Sequence, residues 1–483
     1  MSLQLIDAAK AGNLSLARRL LKKKEVNVNE TDSTGATPLI HASFGNFLAM
    51  VELLVKKGRA DVDLRDGKSC TALIYAAEYN NHAVVKWLVE KGGAAVDKAN
   101  NNGVTPLLMS CHCGHSEVIK LLLANGANVD RADNDGFSPL LMSAQYGYQE
   151  VAKLLLAKGA QVDQANSEGF TPLFMSSQQG HIEVVKLLLA KGATVDEAAI
   201  NGATPLLISS RNGHQEVVKL LLANGAKVDN AENNGATPLI MSSQEGHHEV
   251  VKLLLANGAK VDHAENNGVT SLLTSSENGH TETVKLLLAH GAKVDHAINN
   301  GSASLFVSSQ NGHHEVVKLL LSNGADVEHA DDGATSLFIS SQNGHQEVVK
   351  VLLANGANVN QANNDGATPL TMSRQNGHQE VVELLLAHAA KLAQVEKAGE
   401  VKKEEGGPKK AARVCQLCGK EAERMKKCSV CKSVRYCSEE CQLGDWKKHK
   451  KSCKNAAARR ETGGRTESTV ESLAGAGVEA DDI

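Results

Sequence analysis

One short string of residues recurs along most of this chain at an almost constant spacing. Thr-Pro-Leu, or a close variant of it, begins at Thr37, Thr71, Thr105, Ser138, Thr171, Thr204, Thr237, Thr270, Ala303, Thr335 and Thr368. Seven of the ten steps are 33 residues long. A unit of that length cannot bury its own apolar face, so successive units must stack on one another.

Composition agrees with a stacked array. The chain has 483 residues, of which 42% are hydrophobic but only 3% are aromatic. A hydrophobic fraction of this size supports a folded chain, whereas a single large core usually depends on Phe, Tyr and Trp. We therefore expect a thin aliphatic core that is built the same way many times.

Each unit predicts a pair of helices. In one example, Thr237 can cap the first helix and Pro238 can occupy its first position, where no amide hydrogen is needed. Gly246 suits the left-handed residue after that helix, and the apolar residues of 248–256 predict the second helix. An extended hairpin is expected to lead into the next unit. Together with a polar first unit at residues 3–24, we expect twelve helix pairs.

The period and the Thr-Pro-Leu opening resemble the ankyrin repeat over residues 1–390, with the first recognisable unit at residue 3. The resemblance implies an all-α solenoid of helix pairs with β-hairpin loops, and a domain that binds proteins rather than catalysing a reaction. Ankyrin repeats commonly have histidine after Thr-Pro-Leu, but most units of this chain have an apolar residue there, such as Ile40 or Phe174. We expect apolar packing to replace the hydrogen bond of that histidine.

The resemblance also implies where a partner binds, namely at the exposed ends of the first helices and at the hairpin tips. Ten of the fourteen aromatic residues lie within residues 44–174, in units two to five, whereas the last three units repeat Gln-Asn at these helix ends. Exposed aromatic side chains anchor interfaces. We predict that a protein partner contacts Phe44, Tyr79, His112 and Tyr146, together with the hairpin residues Phe137 and Phe170. The alternative is that this half of the solenoid is simply less uniform.

Other distinctive residues are interpreted as scaffold. Trp87 and Phe174 occupy positions that otherwise hold Leu or Ile. Eight histidines share one position after the first helix: His115, His181, His214, His247, His280, His313, His345 and His378. Three hairpin histidines are interpreted as a solvated stripe: His263, His296 and His329. The string Cys111-His112-Cys113 looks like a metal site, but Cys111 replaces a small buried Ser, so we expect no metal there.

A second module follows the repeats. The period stops after Ala390, and residues 391–414 have the charged, Gly- and Pro-containing composition of a linker. Residues 415–453 contain eight potential zinc ligands: Cys415, Cys418, Cys428, Cys431, Cys437, Cys441, His449 and Cys453. Eight ligands suffice for two tetrahedral zinc ions and leave neither ion the open position that catalysis requires. Residues 454–483 are expected to be a disordered tail.

The order of these ligands and the flanking Tyr436, Gln442 and Trp446 resemble the MYND zinc finger. The resemblance implies that one zinc ion is bound by Cys415, Cys418, Cys437 and Cys441, and the other by Cys428, Cys431, His449 and Cys453. It also implies that Gln442 and Trp446 line a groove for a short proline-containing peptide, with a packing role for Trp446 as the alternative. A disulfide scaffold and a RING finger are the competing interpretations of the eight ligands.

Charge differs between the two modules. Residues 1–390 carry 30 basic and 40 acidic side chains, whereas residues 391–461 carry 20 basic and 10 acidic side chains. A basic finger can attract nucleic acid or an acidic protein. The alternative function is therefore a nucleic-acid-associated transcriptional regulator, although the lysines have little aromatic interleaving and make nucleic-acid binding the weaker interpretation.

These patterns favour a protein that connects other proteins and is not an enzyme. The sequence contains no Gly-rich phosphate loop, metalloprotease helix motif or nucleophile elbow. It also contains no apolar stretch of membrane-spanning length, and its start lacks the pattern of a signal peptide, which predicts a cytoplasmic or nuclear location. We expect a non-catalytic adaptor whose two modules raise the effective concentration of one partner near another.

Overall fold

The computed structural model describes residues 4–23, 25–299 and 301–405, together with four two-residue strands between 413 and 436. The chain divides into two compact units, Met1–Ala389 and Ala390–Ile483. The described part of the first unit is a succession of paired α-helices, and the predicted solenoid of twelve helix pairs is confirmed. In the part of the chain that the structure describes, no helix is both long and apolar enough to cross a membrane.

The helices alternate between a first and a second type. The first helix of each pair has seven or eight residues: α1 (Gln4–Lys10), α3 (Pro38–Phe44), α5 (Ala72–Glu78), α7 (Pro106–Cys113), α9 (Pro139–Gln145), α11 (Pro172–Gln179), α13 (Pro205–Arg211), α15 (Pro238–Gln244), α17 (Ser271–Glu277), α19 (Ser304–Gln310), α21 (Ser336–Gln342) and α23 (Pro369–Gln375). The second helices are α2 (Leu14–Leu20), α4 (Leu48–Lys56), α6 (His82–Glu90), α8 (Ser116–Ala124), α10 (Gln149–Ala157), α12 (Ile182–Ala190), α14 (Gln215–Ala223), α16 (His248–Ala256), α18 (Thr281–Ala289), α20 (His314–Ser322), α22 (Gln346–Ala354) and α24 (Gln379–Glu405).

The recurring Thr begins each first helix in the way the sequence predicts. In α15, the side chain of Thr237 accepts a hydrogen bond from the amide of Ile240 at 3.3 Å, and Pro238 occupies the first turn. Ten of the eleven units make the equivalent bond. The exception is Ala303, which has no hydroxyl group, so α19 begins without a side-chain cap. A cap of this kind stabilises a helix by about 1 kcal/mol.

The core is aliphatic and continuous along the first unit. In one repeat, Leu206 of α13 and Val217, Val218 and Leu221 of α14 are all 0% exposed. Equivalent residues of successive repeats form a single buried cluster from Leu5 to Leu385. Because each layer buries only a few small aliphatic side chains, the core needs few aromatic residues, which agrees with the composition.

Histidine side chains connect neighbouring repeats. The ring Nε2 of His280 lies 2.9 Å from the backbone oxygen of Gln244 in the preceding repeat. A carbonyl oxygen only accepts, so Nε2 is the donor. The same bond is made by His115, His181, His214, His313, His345 and His378. Apolar packing does replace the histidine at the place after Thr-Pro-Leu, where Ile74 and Leu141 are 0% exposed. A bond between repeats is supplied in addition by a different histidine position.

Glycine makes room for these rings. Gly246 has a φ of +74°, and a Cβ atom there would lie 2.5 Å from Nδ1 of His280. A left-handed backbone and the absence of a side chain are both required at this position. The sequence predicts the left-handed conformation of Gly246 but not its contact with the next repeat.

The loops that connect the pairs are held mainly by hydrogen bonds between repeats. Asp229 accepts a bond from the amide of Lys260 at 3.0 Å, and the same pattern recurs at Asp63, Asp97, Asp130, Asp163, Asp196, Asp262 and Asp295. Regular strand pairing in the described loops is limited to β1 (Ala330–Asp331) with β2 (Ala334–Thr335). Isolated bridges join Arg65 to Thr71, Ala264 to Thr270 and Ala297 to Ala303. The predicted hairpins are therefore mostly tight turns.

The second unit is described through part of α24 and two strand pairs. Helix α24 continues to Glu405, into the segment interpreted as a linker, because residues 391–405 are rich in Lys, Glu and Ala, which favour helix. Strand β3 (Arg413–Val414) pairs in antiparallel fashion with β4 (Glu421–Ala422). Strand β5 (Lys426–Lys427) pairs in the same way with β6 (Arg435–Tyr436), and β3 and β6 contact each other.

Candidate partner-binding surface and zinc finger

The four aromatic residues predicted to bind a partner lie at the ends of successive first helices. Phe44 ends α3, Tyr79 follows α5, His112 lies in the last turn of α7 and Tyr146 follows α9. Phe44 and Tyr79 are each 48% exposed, Tyr146 is 41% exposed, and His112 is also exposed. We name this set the aromatic surface.

Two groups of rings form the aromatic surface. In the first group, the ring centroids of Phe44 and Tyr79 are 4.5 Å apart, and the ring of Tyr75 meets Phe44 edge-on at 6.2 Å. The hydroxyl of Tyr75 donates to Asp66 at 2.6 Å. Burial, followed by this bond to the Asp66 carboxylate, raises the pKa of Tyr75, so the phenol stays protonated as a donor.

The second group is a stack of three rings. His112 stacks on Tyr146 with centroids 5.0 Å apart, and Tyr146 stacks on Tyr148 with centroids 5.9 Å apart. Tyr148 occupies the position that histidine holds in most other repeats, and a Cβ on Gly114 would lie 3.0 Å from its ring. Tyr148 therefore packs against Gly114 of the preceding repeat, and the ring of Tyr146 stacks on it.

Glu78 directly precedes Tyr79 in the chain. Its negative charge contributes to a raised pKa at Tyr79 and at the thiol of Cys113, where burial is the larger cause in each case. It also contributes, after burial and Asp66, to the raised pKa of Tyr75. Glu78 makes no ion pair with Lys, Arg or His among the described residues. The aromatic surface thus adjoins a half-buried carboxylate that forms no ion pair among the described residues.

The other aromatic residues of this half belong to the core. Trp87 is 6% exposed and Phe174 is 2% exposed, which confirms their packing role. Phe137 and Phe170, which were predicted to be partner contacts, are half-buried and pack against a second hydrophobic cluster. The ring of Phe170 stacks on Phe174 with centroids 4.6 Å apart. The structure therefore joins these two hairpin residues to the core and not to the aromatic surface.

The later repeats use the same helix ends differently. Where the aromatic repeats have Tyr79 and Tyr146, five of the six repeats from the seventh to the twelfth have asparagine. For example, Asn311 donates from Nδ2 to the backbone oxygen of Glu277 at 2.8 Å. His313 bonds to the same oxygen at 2.9 Å. Equivalent pairs of bonds involve Asn212, Asn278, Asn343 and Asn376. In these repeats the exposed position is used for contacts between repeats.

The solenoid offers no metal site in its described part. Among the residues at 4–23, 25–299 and 301–394, His, Cys, Asp and Glu side chains form no group of three or more that could hold a metal ion. Cys111 is 0% exposed, and burial strongly raises the pKa of its thiol, as expected for a packing residue.

The hairpin histidines are not a solvated stripe. His263, His296 and His329 are half-buried, and each ring donates from Nε2 to a backbone oxygen of the preceding repeat at 3.0–3.2 Å. The acceptors are the backbone oxygens of Gly235, Gly268 and Gly301. These histidines are scaffold, like those at the helix ends, and the interpretation from sequence missed the bond because periodicity alone does not identify a partner 28 residues away.

The eight predicted zinc ligands and the peptide-binding residues Gln442 and Trp446 lie outside the described residues. The described strands nevertheless bracket the first four cysteines in the sequence. The pairing of Val414 with Glu421 closes a segment that contains Cys415 and Cys418, and the pairing of Lys427 with Arg435 closes one that contains Cys428 and Cys431. A Cys-x2-Cys spacing is a common way to hold zinc, so this donor set fits the metal.

Comparison with known proteins identifies both modules. A family model of ankyrin repeats, which describes three copies, matches residues 5–100, 92–166, 132–199, 173–265, 229–298, 257–331 and 305–395. A model of the MYND finger matches residues 415–453. Ankyrin repeats and MYND fingers are non-catalytic protein-interaction domains, and the MYND finger binds zinc.

Similar curated proteins match only over short segments. The chain is 50% identical over 40 residues to SET domain-containing protein 14 of Caenorhabditis elegans, which covers 8% of this chain and 9% of that protein. It is 61% identical over 41 residues to ubiquitin carboxyl-terminal hydrolase 19 of Arabidopsis thaliana, which covers 8% of this chain and 6% of that protein. The chain thus spans less than a tenth of the length of these relatives.

Among solved structures, the human ASB11 ankyrin repeat domain is 29% identical, with a TM-score of 0.42, and covers 45% of this chain and 98% of that structure. The ankyrin-repeat matches together extend from residue 5 to residue 395. The chain therefore belongs to the ankyrin-repeat family, and it carries a MYND zinc finger at residues 415–453.

Proposed function

We propose that this protein is a non-catalytic adaptor that holds two protein partners together. In this proposal, residues 1–390 bind one partner, residues 391–414 connect the modules, residues 415–453 bind a peptide of a second partner, and residues 454–483 form a tail. The observation that carries it is the aromatic surface, since large exposed rings supported by a rigid scaffold are typical of interface anchors. Tethering then raises the effective concentration of one partner near the other.

The first partner binds at Phe44, Tyr79, His112 and Tyr146. Three of these residues are among the six large hydrophobic side chains that are exposed in the described part of the chain. Their rings contact each other in two groups, so they lose little conformational freedom when a partner covers them. Both features support a protein interface at these helix ends.

The second partner binds at the finger through a proline-containing peptide, with Gln442 and Trp446 lining the groove. Two zinc ions hold the finger, one bound by Cys415, Cys418, Cys437 and Cys441, and the other by Cys428, Cys431, His449 and Cys453. The contact between β3 and β6 supports the first set, because Cys415 follows β3 and Cys437 follows β6 in the sequence. Zinc supplies folding free energy to a module with few apolar residues.

The experiment uses the full-length chain as bait in a cell extract, beside the variants Tyr146→Ala and Trp446→Ala. Each variant is expected to lose one set of captured proteins and to keep the other. Loss of no protein in either variant would refute the adaptor. We also propose a location in the cytoplasm, the nucleus or both, and imaging of a tagged chain checks it.

Metal analysis tests the finger separately. The intact chain is expected to contain two zinc ions, and Cys415→Ser is expected to retain about one, because the second set of ligands is complete without Cys415. If the finger instead binds nucleic acid, as its excess of basic residues suggests, binding of the full chain to DNA will weaken steeply as salt increases. Peptide binding whose affinity does not change with salt concentration is the result that supports the adaptor.

A further inference from the structure

The aromatic surface combines flat exposed rings with a carboxylate that lacks a cationic neighbour. Phe44 and Tyr79 each leave about half of their surface in water, at 48% exposure. Glu78 precedes Tyr79 directly and is half-buried. Among the described residues no Lys, Arg or His lies within ion-pair distance of it, whereas six glutamates on the second helices of other repeats are paired with lysines at 2.6–2.8 Å.

Two carboxylates, Asp66 and Glu78, lie close enough to affect titratable groups at and beside the aromatic surface. The charges of Asp66 and Glu78 both raise the pKa of Tyr75, and Glu78 also raises the pKa of Tyr79 and Cys113, each after burial as the larger cause. On the larger scale, residues 1–390 carry 40 acidic against 30 basic side chains. A cationic group that approaches these rings is therefore attracted both at long range and at contact.

A guanidinium group can contact both the exposed aromatic faces and the carboxylate of Glu78. It is planar and stacks on aromatic faces, and its N–H groups pair with a carboxylate along the edge of the plane. The same half of the solenoid already holds a cation over a ring, since Nζ of Lys56 lies 5.6 Å from the centroid of Trp87. A lysine ammonium on a partner is a compact, strongly hydrated charge and uses the flat faces less well.

We infer that the partner segment bound at the aromatic surface contains an arginine, whose guanidinium lies on Phe44 and Tyr79 and pairs with Glu78. This inference rests on the proposed function, because it names the chemistry of the first partner. Glu78 is then a specificity-determining residue, and Tyr146 with His112 covers the neighbouring residue of the segment.

The test measures the fluorescence anisotropy of a labelled peptide, Gly-Ser-Arg-Gly-Ser-Arg-Gly-Ser, on addition of the full-length protein. Two matched peptides have Lys or Gln in place of both arginines. We expect the arginine peptide to bind at least tenfold more tightly than the glutamine peptide and several-fold more tightly than the lysine peptide. Equal binding of the arginine and lysine peptides would overturn the assignment.

The matched variants are Glu78→Gln and Glu277→Gln, which change the same position in repeats three and nine. Glu78→Gln is expected to weaken the arginine peptide five- to tenfold, and Glu277→Gln less than twofold, with equal melting curves for both. Equal weakening by the two variants would show that general electrostatics accounts for the effect, and would refute the site.

Capture of the protein partner by Tyr79→Ala separates the two proposals. If Tyr79→Ala abolishes capture of the protein partner while no peptide binds, the adaptor survives and the arginine inference fails. If partner capture is also unaffected, the proposed function fails.

Discussion

Repeats two to five and repeats seven to twelve place different chemistry at the same point of one scaffold. In repeats three and five the residue after the first helix is Tyr79 or Tyr146, with its ring largely in water. In repeats nine and ten it is Asn278 or Asn311, whose side chain bonds to the backbone of the preceding repeat. The core behind both is the same buried aliphatic cluster.

The difference shows that this position is not needed for stacking. Repeats with tyrosine there still stack through their aliphatic residues, and repeat four keeps the histidine bond between His115 and the backbone oxygen of Glu78. Asparagine adds a second bond to a carbonyl oxygen that histidine already occupies. The aromatic repeats lack that second bond and instead expose aromatic rings. A side chain that is exposed instead of bonded within the scaffold is expected where a partner binds.

The largest expected effect concerns the packing of histidine on glycine in the later repeats. Gly246→Ala is expected to destabilise repeats eight and nine by about 3 kcal/mol, from about 1–2 kcal/mol for a left-handed alanine and the rest from its clash with the ring of His280. Hydrogen exchange of peptides covering α15 to α18 measures it.

The control for that variant is Gly258→Ala. Gly258 has a φ of +84°, but a Cβ at this position would have no other atom within 4 Å, so only the backbone cost of about 1–2 kcal/mol is expected. Equal losses of stability in the two variants would show that the ring of His280 moves aside at little energetic cost. Asn46 and Asn80 already carry a side chain at the same left-handed position, with φ of 58° and 57°, so repeats two and three lack this constraint. Gly114 and Gly147 keep it in repeats four and five.

Removal of one ring from the aromatic surface is expected to have the next largest effect. Tyr79→Ala should weaken partner binding by about 2 kcal/mol, or roughly 30-fold, because a central aromatic anchor and its contact with Phe44 are lost. Titration calorimetry with the captured partner gives the affinity. Asn278→Ala at the same position of repeat nine should change it less than twofold, and a comparable loss there would place the partner on the later repeats instead.

Removal of a histidine bond is expected to cost less. His280→Ala should destabilise the junction of repeats eight and nine by about 1 kcal/mol, since one net hydrogen bond is lost while Asn278 still bonds to the backbone oxygen of Gln244. Urea denaturation of the full chain measures the change. His248→Ala removes a neighbouring ring that is 52% exposed and should be nearly neutral.

Sequence reasoning predicted those parts of the molecule that depend on local chemistry. The caps at Thr237 and its equivalents and the bounds of α16 follow from residue type and periodicity, and both are confirmed. The acceptor of His280 lies 36 residues earlier in the chain, and periodicity identifies a recurring residue but not its partner. The packing of Phe137 and Phe170 on the second hydrophobic cluster was not predicted for a related reason, because spacing in a loop does not fix the direction of a side chain. Their contact with a partner stays a prediction. The zinc ligands remain predictions.

The smallest expected effect concerns paired serines inside the first helices. Ser242 donates from its hydroxyl to the backbone oxygen of Leu239 at 3.1 Å, whereas the buried hydroxyl of Ser243 has no hydrogen-bond partner. Ser243→Ala should therefore be neutral or stabilise the protein by up to about 1 kcal/mol, and Ser242→Ala should destabilise it by about 1 kcal/mol.

Repeats three and five already contain the stabilising residue, since Ala77 and Ala144 occupy the position of Ser243 and are 0% exposed. The reverse change, Ala144→Ser, should accordingly destabilise repeat five by about 1 kcal/mol in urea denaturation. If Ser243→Ala and Ser242→Ala cost the same, the Ser243 hydroxyl has a bond in solution that its surroundings do not suggest. The two halves of the solenoid would then differ in polarity inside the core as well as at the helix ends.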